Sequence, residues 1–154
     1  GEGLLVSYAD IIYEPSIVHT LLQSHGELRI VVDRAWHKLW QRRFENPLDD
    51  AETLRCDGDS LLELGKKPKT LEEIEGQYIG LFAFGASFLR EVISFYDSLD
   101  KNAFYDNQNF RNMYMTSFLQ CLIDRYHNAK AVFIDGGWCE IDHKSDLEID
   151  WKNL

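Results

Sequence analysis

A chain of 154 residues, 45% hydrophobic and 27% charged, is long enough for one domain with a real core and short of two. Its formal net charge of -10 argues against non-specific nucleic-acid binding, which needs a basic face to displace counterions from phosphate. Cys56, Cys121 and Cys139 form no C-x-x-C pair, so neither a disulfide framework nor a structural zinc site is indicated, and a reducing, cytoplasmic setting is expected.

No basic, apolar leader opens the chain and no run approaches a membrane span. No Met precedes the first strand pattern, as expected of a processed product or a piece of a longer protein. Residues 4–6 and 11–13 flank Asp10 with apolar side chains and predict a buried strand ending near Asp10. Pro15 opens a helix over 16–24, with Ile17, Val18, Leu21 and Leu22 at helical spacing and Gly26 where a C-cap belongs. The β-branched run 28–33 is a second strand ending in Asp33, so strand, helix and strand suggest a βαβ unit with parallel pairing. Residues 36–43 are aromatic and basic, one or two helical turns whose role the pattern does not reveal, and 46–50 are irregular.

Strand patterns follow at 60–65 and 76–84, the latter with glycines that permit close approach. Between them lie the basic loop 66–69 and the short acidic stretch 71–74. The stripe Phe88, Leu89, Val92, Ile93, Phe95, Tyr96 and Leu99 predicts an amphipathic helix over 87–99. Residues 100–112 read as an exposed polar loop, and Thr116 as the cap of a helix whose core face is Phe118, Leu119, Leu122 and Ile123. A last strand over 129–134 turns at Asp135-Gly136-Gly137 into an acid-rich tail. The expected architecture is α/β, one domain over 1–154, with a mostly parallel sheet and flanking helices.

Ligands of open α/β sheets collect at the carboxyl ends of strands, which places Asp10 well for a magnesium site shared with the tail. The plainer alternative is an Asp that ends a strand in the turn before Pro15. Glu140 and Asp142 alternate about Ile141 and face one side, whereas residues 146–148 read as a solvated helix start. The five histidines show no metal-ligand spacing and no Gly-x-Ser-x-Gly elbow occurs, so zinc chemistry and acyl-transfer hydrolysis lack support.

Six segments together resemble a known family. Ser7-Tyr8-Ala9-Asp10-Ile11-Ile12, Ile30-Val31-Val32-Asp33 with Trp36, Glu63-Leu64-Gly65-Lys66-Lys67, Glu75-Gly76-Gln77-Tyr78-Ile79-Gly80-Leu81, Met115-Thr116 with Leu119-Gln120, and Gly137-Trp138-Cys139-Glu140-Ile141-Asp142 are similar, in order, to the later part of nucleotidyltransferases. The nearest branch holds the phosphocholine cytidylyltransferases and the domains attached to phosphoenolpyruvate mutases, within the sugar-phosphate nucleotidyltransferases. The family's glycine-rich Gly-x-Gly-x-Arg loop occurs nowhere in these residues, so the chain reads as the later portion of such an enzyme.

The resemblance implies transfer of a nucleotidyl group, cytidylyl favoured, from an NTP to a small phosphorylated substrate with release of pyrophosphate. It implies Mg2+ held by Asp10 and Asp142, with Glu140 in support, and Lys67, beside Lys66, neutralising phosphate. Tyr78, Phe82, Trp36 and Trp138 would wall a quaternary ammonium group, with Glu75 and Asp33 as counter-charges. A non-catalytic binding or interaction module with the same fold is the alternative. An exposed sheet edge would allow a homo-oligomer, and neither nucleic acid nor membrane is expected as a partner.

Overall fold

The computed structural model describes residues 3–154. Ten strands and four α-helices follow one another as β1 (Leu4–Ser7), β2 (Ile11–Tyr13), α1 (Pro15–Gln23), β3 (Leu28–Asp33), α2 (Trp36–Arg43), β4 (Leu54–Asp57), β5 (Ser60–Leu64), β6 (Gln77–Phe84), α3 (Leu89–Ser98), β7 (Phe104–Tyr105), β8 (Gln108–Asn109), α4 (Met115–Tyr126), β9 (Ala129–Ile134) and β10 (Trp138–Glu140). Six strands form one sheet in the order β1-β6-β3-β9-β5-β4. β2 pairs with β10 in a separate two-stranded ribbon.

The α/β class and the flanking helices are as the sequence suggests. Parallel pairing, however, is confined to β3 with β9; β6 lies antiparallel between β1 and β3, and β5 and β4 continue antiparallel. β1 and β3 therefore point the same way across an inserted strand, and the expected mostly parallel sheet is a mixed one. Alternation along the central strands sends Val31, Leu81 and Ala83 to one face, under Ile17 and Leu21 of α1 and Leu39 and Trp40 of α2. Ile30, Val32, Phe82 and Phe84 take the other face, under Val92 of α3 and Leu119 and Leu122 of α4. Each fully buried side chain of this size contributes roughly 1.5–3 kcal/mol, so both layers hold the sheet.

Four local readings change. The strand expected to run into Asp10 is broken: β1 is an edge strand with Leu4 and Leu5 exposed, the chain turns at residues 9–10, and β2 leaves the main sheet. Residues 100–112 hold a hairpin, β7 and β8, whose turn residues Asp106 and Asn107 both have positive φ, a conformation Asp and Asn tolerate better than most residues. Thr116 is inside α4, buried, and Tyr114 holds the N-cap position. Ser24 is the C-cap of α1, with Gly26 two residues beyond. The strand β4 has no counterpart in the sequence reading, because Arg55 and Asp57 mask its pattern. Among the described residues no helix is long and apolar enough to cross a membrane.

Gly80 has φ +83 and an added Cβ would lie 2.6 Å from the Tyr8 ring, while the Tyr8 N–H donates to the Gly80 carbonyl at 2.9 Å. Gly80→Ala is expected to cost about 1–3 kcal/mol, read from a urea midpoint. Gly58→Ala, at φ +60 with nothing within 4 Å of the added carbon, should cost less. Equal losses would contradict the contact with Tyr8.

Candidate functional site

The ribbon of β2 and β10 brings the two ends of the chain together. Glu140 pairs with Ile11, and the Ile141 N–H donates to the Asp10 carbonyl at 2.8 Å, so Asp10 sits beside both acids that flank Ile141. One carboxylate oxygen each from Asp10, Glu140 and Asp142 lie within 4.8 Å of one another. A divalent cation bound at 2.0–2.6 Å keeps its ligand oxygens within about 4 to 5 Å of each other, so the donor set suits a hard cation.

Glu140 and Asp142 are ordered by Arg43, the last residue of α2, whose side chain is 0% exposed. Its Nη1 donates to Glu140 Oε2 and its Nη2 to Asp142 Oδ2, both at 2.8 Å, and Nε lies 3.4 Å from Asp146 Oδ1. The Trp40 and Phe44 rings flank the guanidinium, with centroids 5.6 and 4.9 Å from its carbon. Burial disfavours its charge, but Glu140, Asp146 and Asp142 outweigh that and hold its pKa above the ordinary value. Burial also pushes the Glu140 carboxyl up, against the pull of Arg43. One cation against three acids leaves the cluster negative, which favours a second cation.

Asp146, expected in a solvated helix start, is instead 2% exposed. Its second oxygen accepts from the backbone N–H groups of Asp142 and His143 at 3.0 and 2.8 Å. Those bonds and Arg43 keep it ionised below its usual range despite burial, and they fix the loop that presents Asp142.

A cleft of about 850 Å³ adjoins this cluster, with Tyr8, Glu52, Lys66, Lys67, Glu140 and Asp142 among its walls. Lys67 donates its ammonium to the carbonyls of Leu48 and Asp49, and Lys66 lies 3.8 Å from Glu63. Tyr78 is half-buried on the cleft wall, edge-on to Tyr8 with ring centroids 5.6 Å apart. Its hydroxyl is buried with no partner at hydrogen-bonding geometry, although the Tyr8 side chain lies near enough to act on it, and burial raises its pKa.

The other aromatic and acidic expectations resolve differently. Phe82 is fully buried on the α3 and α4 face, while Trp36 and Trp138 are buried on the α1 and α2 face. A wall made of all four would have to pass through the sheet, so it does not form. Trp138 reaches the cleft only as part of its floor, 2% exposed, its indole N–H donating to Asp33 at 2.8 Å. Asp33 also accepts from the N–H groups of Ala35 and Gly136 at 2.8 and 2.9 Å, a structural tie and no counter-charge for a ligand. Burial pushes its carboxyl up, against those three bonds. Glu75 lies outside the cleft wall and accepts from the Cys56 N–H at 2.7 Å.

Glu52 and Arg43 escaped the sequence reading. Glu52 sits in the acidic run 49–52, where nothing distinguishes it from Asp50, which is bound by the Trp40 indole. Its main chain is clamped by the buried Gln77 amide, N–H to Oε1 at 3.0 Å and Nε2 to carbonyl at 2.6 Å. Burial, then Asp50 and Glu140, push its carboxyl up to about 7.

No protein-family model matches the chain. Over 148 residues, 96% of its length, it is 59% identical to a CTP:phosphoglutamine cytidylyltransferase of Campylobacter jejuni, of which it spans 58%. The inositol-1-phosphate CTP transferase of T. maritima superposes with a TM-score of 0.66 at 16% identity, over 95% of this chain and 51% of that one. A nucleoside-diphosphate-sugar pyrophosphorylase from Vibrio cholerae gives 0.57 at 11% identity, over 99% and 56%. The chain thus has the nucleotidyltransferase fold and the similarity that its motifs suggest, and it spans little more than half the length of these relatives.

Because the folded-state pKa of Glu52 stands above its ordinary 4.5, the folded protein holds a proton that the unfolded chain releases, and stability falls as pH rises from about 4.5 through about 7. Glu52→Gln removes that cost. Its stability relative to wild type, from denaturant midpoints, should be more favourable at pH 8 than at pH 5; the same difference at both would contradict an ionisation opposed by the fold.

Proposed function

We propose that this chain supplies the cation- and acceptor-binding part of a cytidylyltransferase, which transfers a cytidylyl group from CTP to a small phosphorylated acceptor and releases pyrophosphate. Asp10, Glu140 and Asp142 meeting beside a cleft that also carries Lys66 and Lys67 is the observation that carries this function. The 59% identity to a CTP:phosphoglutamine cytidylyltransferase supports the nucleobase and an acceptor of the phosphoglutamine kind.

Attack of an acceptor phosphate on the α-phosphorus of CTP crowds anions together, so catalysis here is positioning and charge neutralisation. Asp10 and Asp142, with Glu140, would hold Mg2+, which supplies a hard doubly charged centre for the phosphate oxygens. Arg43 holds Glu140 and Asp142 in place before any ligand arrives. Lys67, leaving the carbonyls of Leu48 and Asp49, meets the acceptor phosphate as a point charge, with Lys66 beside it. Three unpaired cysteines suit a reducing, cytoplasmic compartment. The exposed β1 edge, with Leu4 and Leu5 43% and 37% exposed, is the surface through which two copies would pair.

A second reading is a binding module that keeps the fold without the reaction. Pyrophosphate release from CTP, phosphoglutamine and Mg2+, measured on the full-length protein that carries this chain, separates the two. Asp10→Asn should lower it at least about 100-fold with no loss of thermal stability when Mg2+ is absent, and Asp142→Asn should lower it as far while also losing stability through its bond to Arg43. Near-normal turnover in either variant would overturn the assignment. No pyrophosphate from wild type, and no thermal shift with CTP, would leave the binding module standing.

A further inference from the structure

Among the described residues, Glu52 lines the cleft half-buried and has no ion-pair partner. The charges that bear on it are those of Asp50 and Glu140, both negative. Its backbone is held on both sides by the Gln77 side chain, which is itself 2% exposed, so the carboxyl is carried on a fixed frame. Beside it the cleft is walled by Tyr8 and Tyr78, set edge-on, and the Tyr78 hydroxyl is a buried polar group with no partner at hydrogen-bonding geometry. Gly80, with no room for a Cβ, keeps the Tyr8 ring against the strand. A fixed, unbalanced acid next to an unsatisfied hydroxyl and two aromatic rings is the environment a cationic nitrogen completes: it supplies the missing charge, donates N–H bonds to both oxygens, and lies favourably on a ring face.

We propose that Glu52, with Tyr78 and Tyr8, forms the subsite for an ammonium group of the phosphorylated acceptor. The inference rests on the transferase reading for the phosphate end of that acceptor and adds what recognises its other end. Both ends of a small zwitterion would find a partner on the cleft wall. Segments 51–54 and 64–67 are tied together, Thr53 N–H to the Lys66 carbonyl at 2.8 Å and Gly65 N–H to the Thr53 carbonyl at 3.1 Å. Glu52 and Lys67 therefore stand on neighbouring, hydrogen-bonded segments that border one cleft. A phosphate on Lys67 leaves the amine of the same molecule within reach of Glu52, and an acceptor without that amine leaves Glu52 unbalanced. Glu52 acts here as a specificity determinant, favouring an acceptor that carries an ammonium over one that lacks it.

Calorimetric titration with O-phosphoethanolamine and with ethyl phosphate, both in Mg2+, tests this on the chain as it stands. Wild type should bind phosphoethanolamine at least tenfold more tightly than ethyl phosphate. Glu52→Gln, which keeps size and an acceptor oxygen, should remove that preference while leaving the affinity for ethyl phosphate unchanged. Lys67→Ala should weaken both phosphates alike and so reports on the transferase reading separately. Equal weakening of both ligands by Glu52→Gln, no effect of the substitution, or no preference in wild type would each overturn the ammonium subsite, even where the Lys67 arm behaves as expected. Binding of neither ligand to wild type would overturn both readings.

Discussion

Arg43 carries a positive charge on a side chain that is 0% exposed, and three carboxylates from the far end of the chain converge on it. A guanidinium donates in a planar fork, so each acid takes its own nitrogen and none can shift without leaving an N–H unsatisfied. Such a cluster is costly to desolvate and more costly to break, since removing one partner strands buried charge at about 3–5 kcal/mol. The tail after β10 therefore has one favourable path. It is the path on which Glu140 and Asp142 meet Asp10.

Two further constraints deliver the acids to Arg43. Asp33, at the end of β3, ties the turn at Gly136 and the Trp138 indole to the start of α2, so the central strand, the tail and the helix that carries Arg43 share one buried acceptor. The β2 and β10 ribbon then sets the register that puts Ile141 on the Asp10 carbonyl. The chain departs from the main sheet after β1 in order to make that ribbon. The broken strand around Asp10 is thus what lets an acid at one edge of the fold stand beside two from the other.

Elements built from local pattern were legible: α1, β3, β5, β6, α3 and β9 lie close to where apolar periodicity placed them. Pairing direction was not, because the strand inserted between β1 and β3 comes from residues 77–84 and no local pattern announces it. Asp10, Glu140 and Asp142 were legible through their resemblance to a family, and the structure brings them together. Asp146 looked solvated because its neighbours are polar; its burial depends on Arg43, 103 residues earlier. Trp138 and Asp33 looked like ligand groups because an aromatic and an acid near glycines suit a binding site equally well as a core tie. Glu52 was invisible among adjacent acids, since what singles it out is a clamp from Gln77 and the lack of a counter-charge.

In the proposed reaction an acidic chain would take anionic ligands because a divalent cation offsets most of the negative charge gathered around Arg43, next to Lys67 held on two carbonyls. The most direct measurement is a crystal grown with Mn2+ and recorded at the manganese absorption edge. An anomalous peak bonded to carboxylate oxygens of Asp10 and Asp142, with Arg43 still on Glu140, is the expected result. A peak elsewhere, or none at saturating Mn2+, would contradict the account.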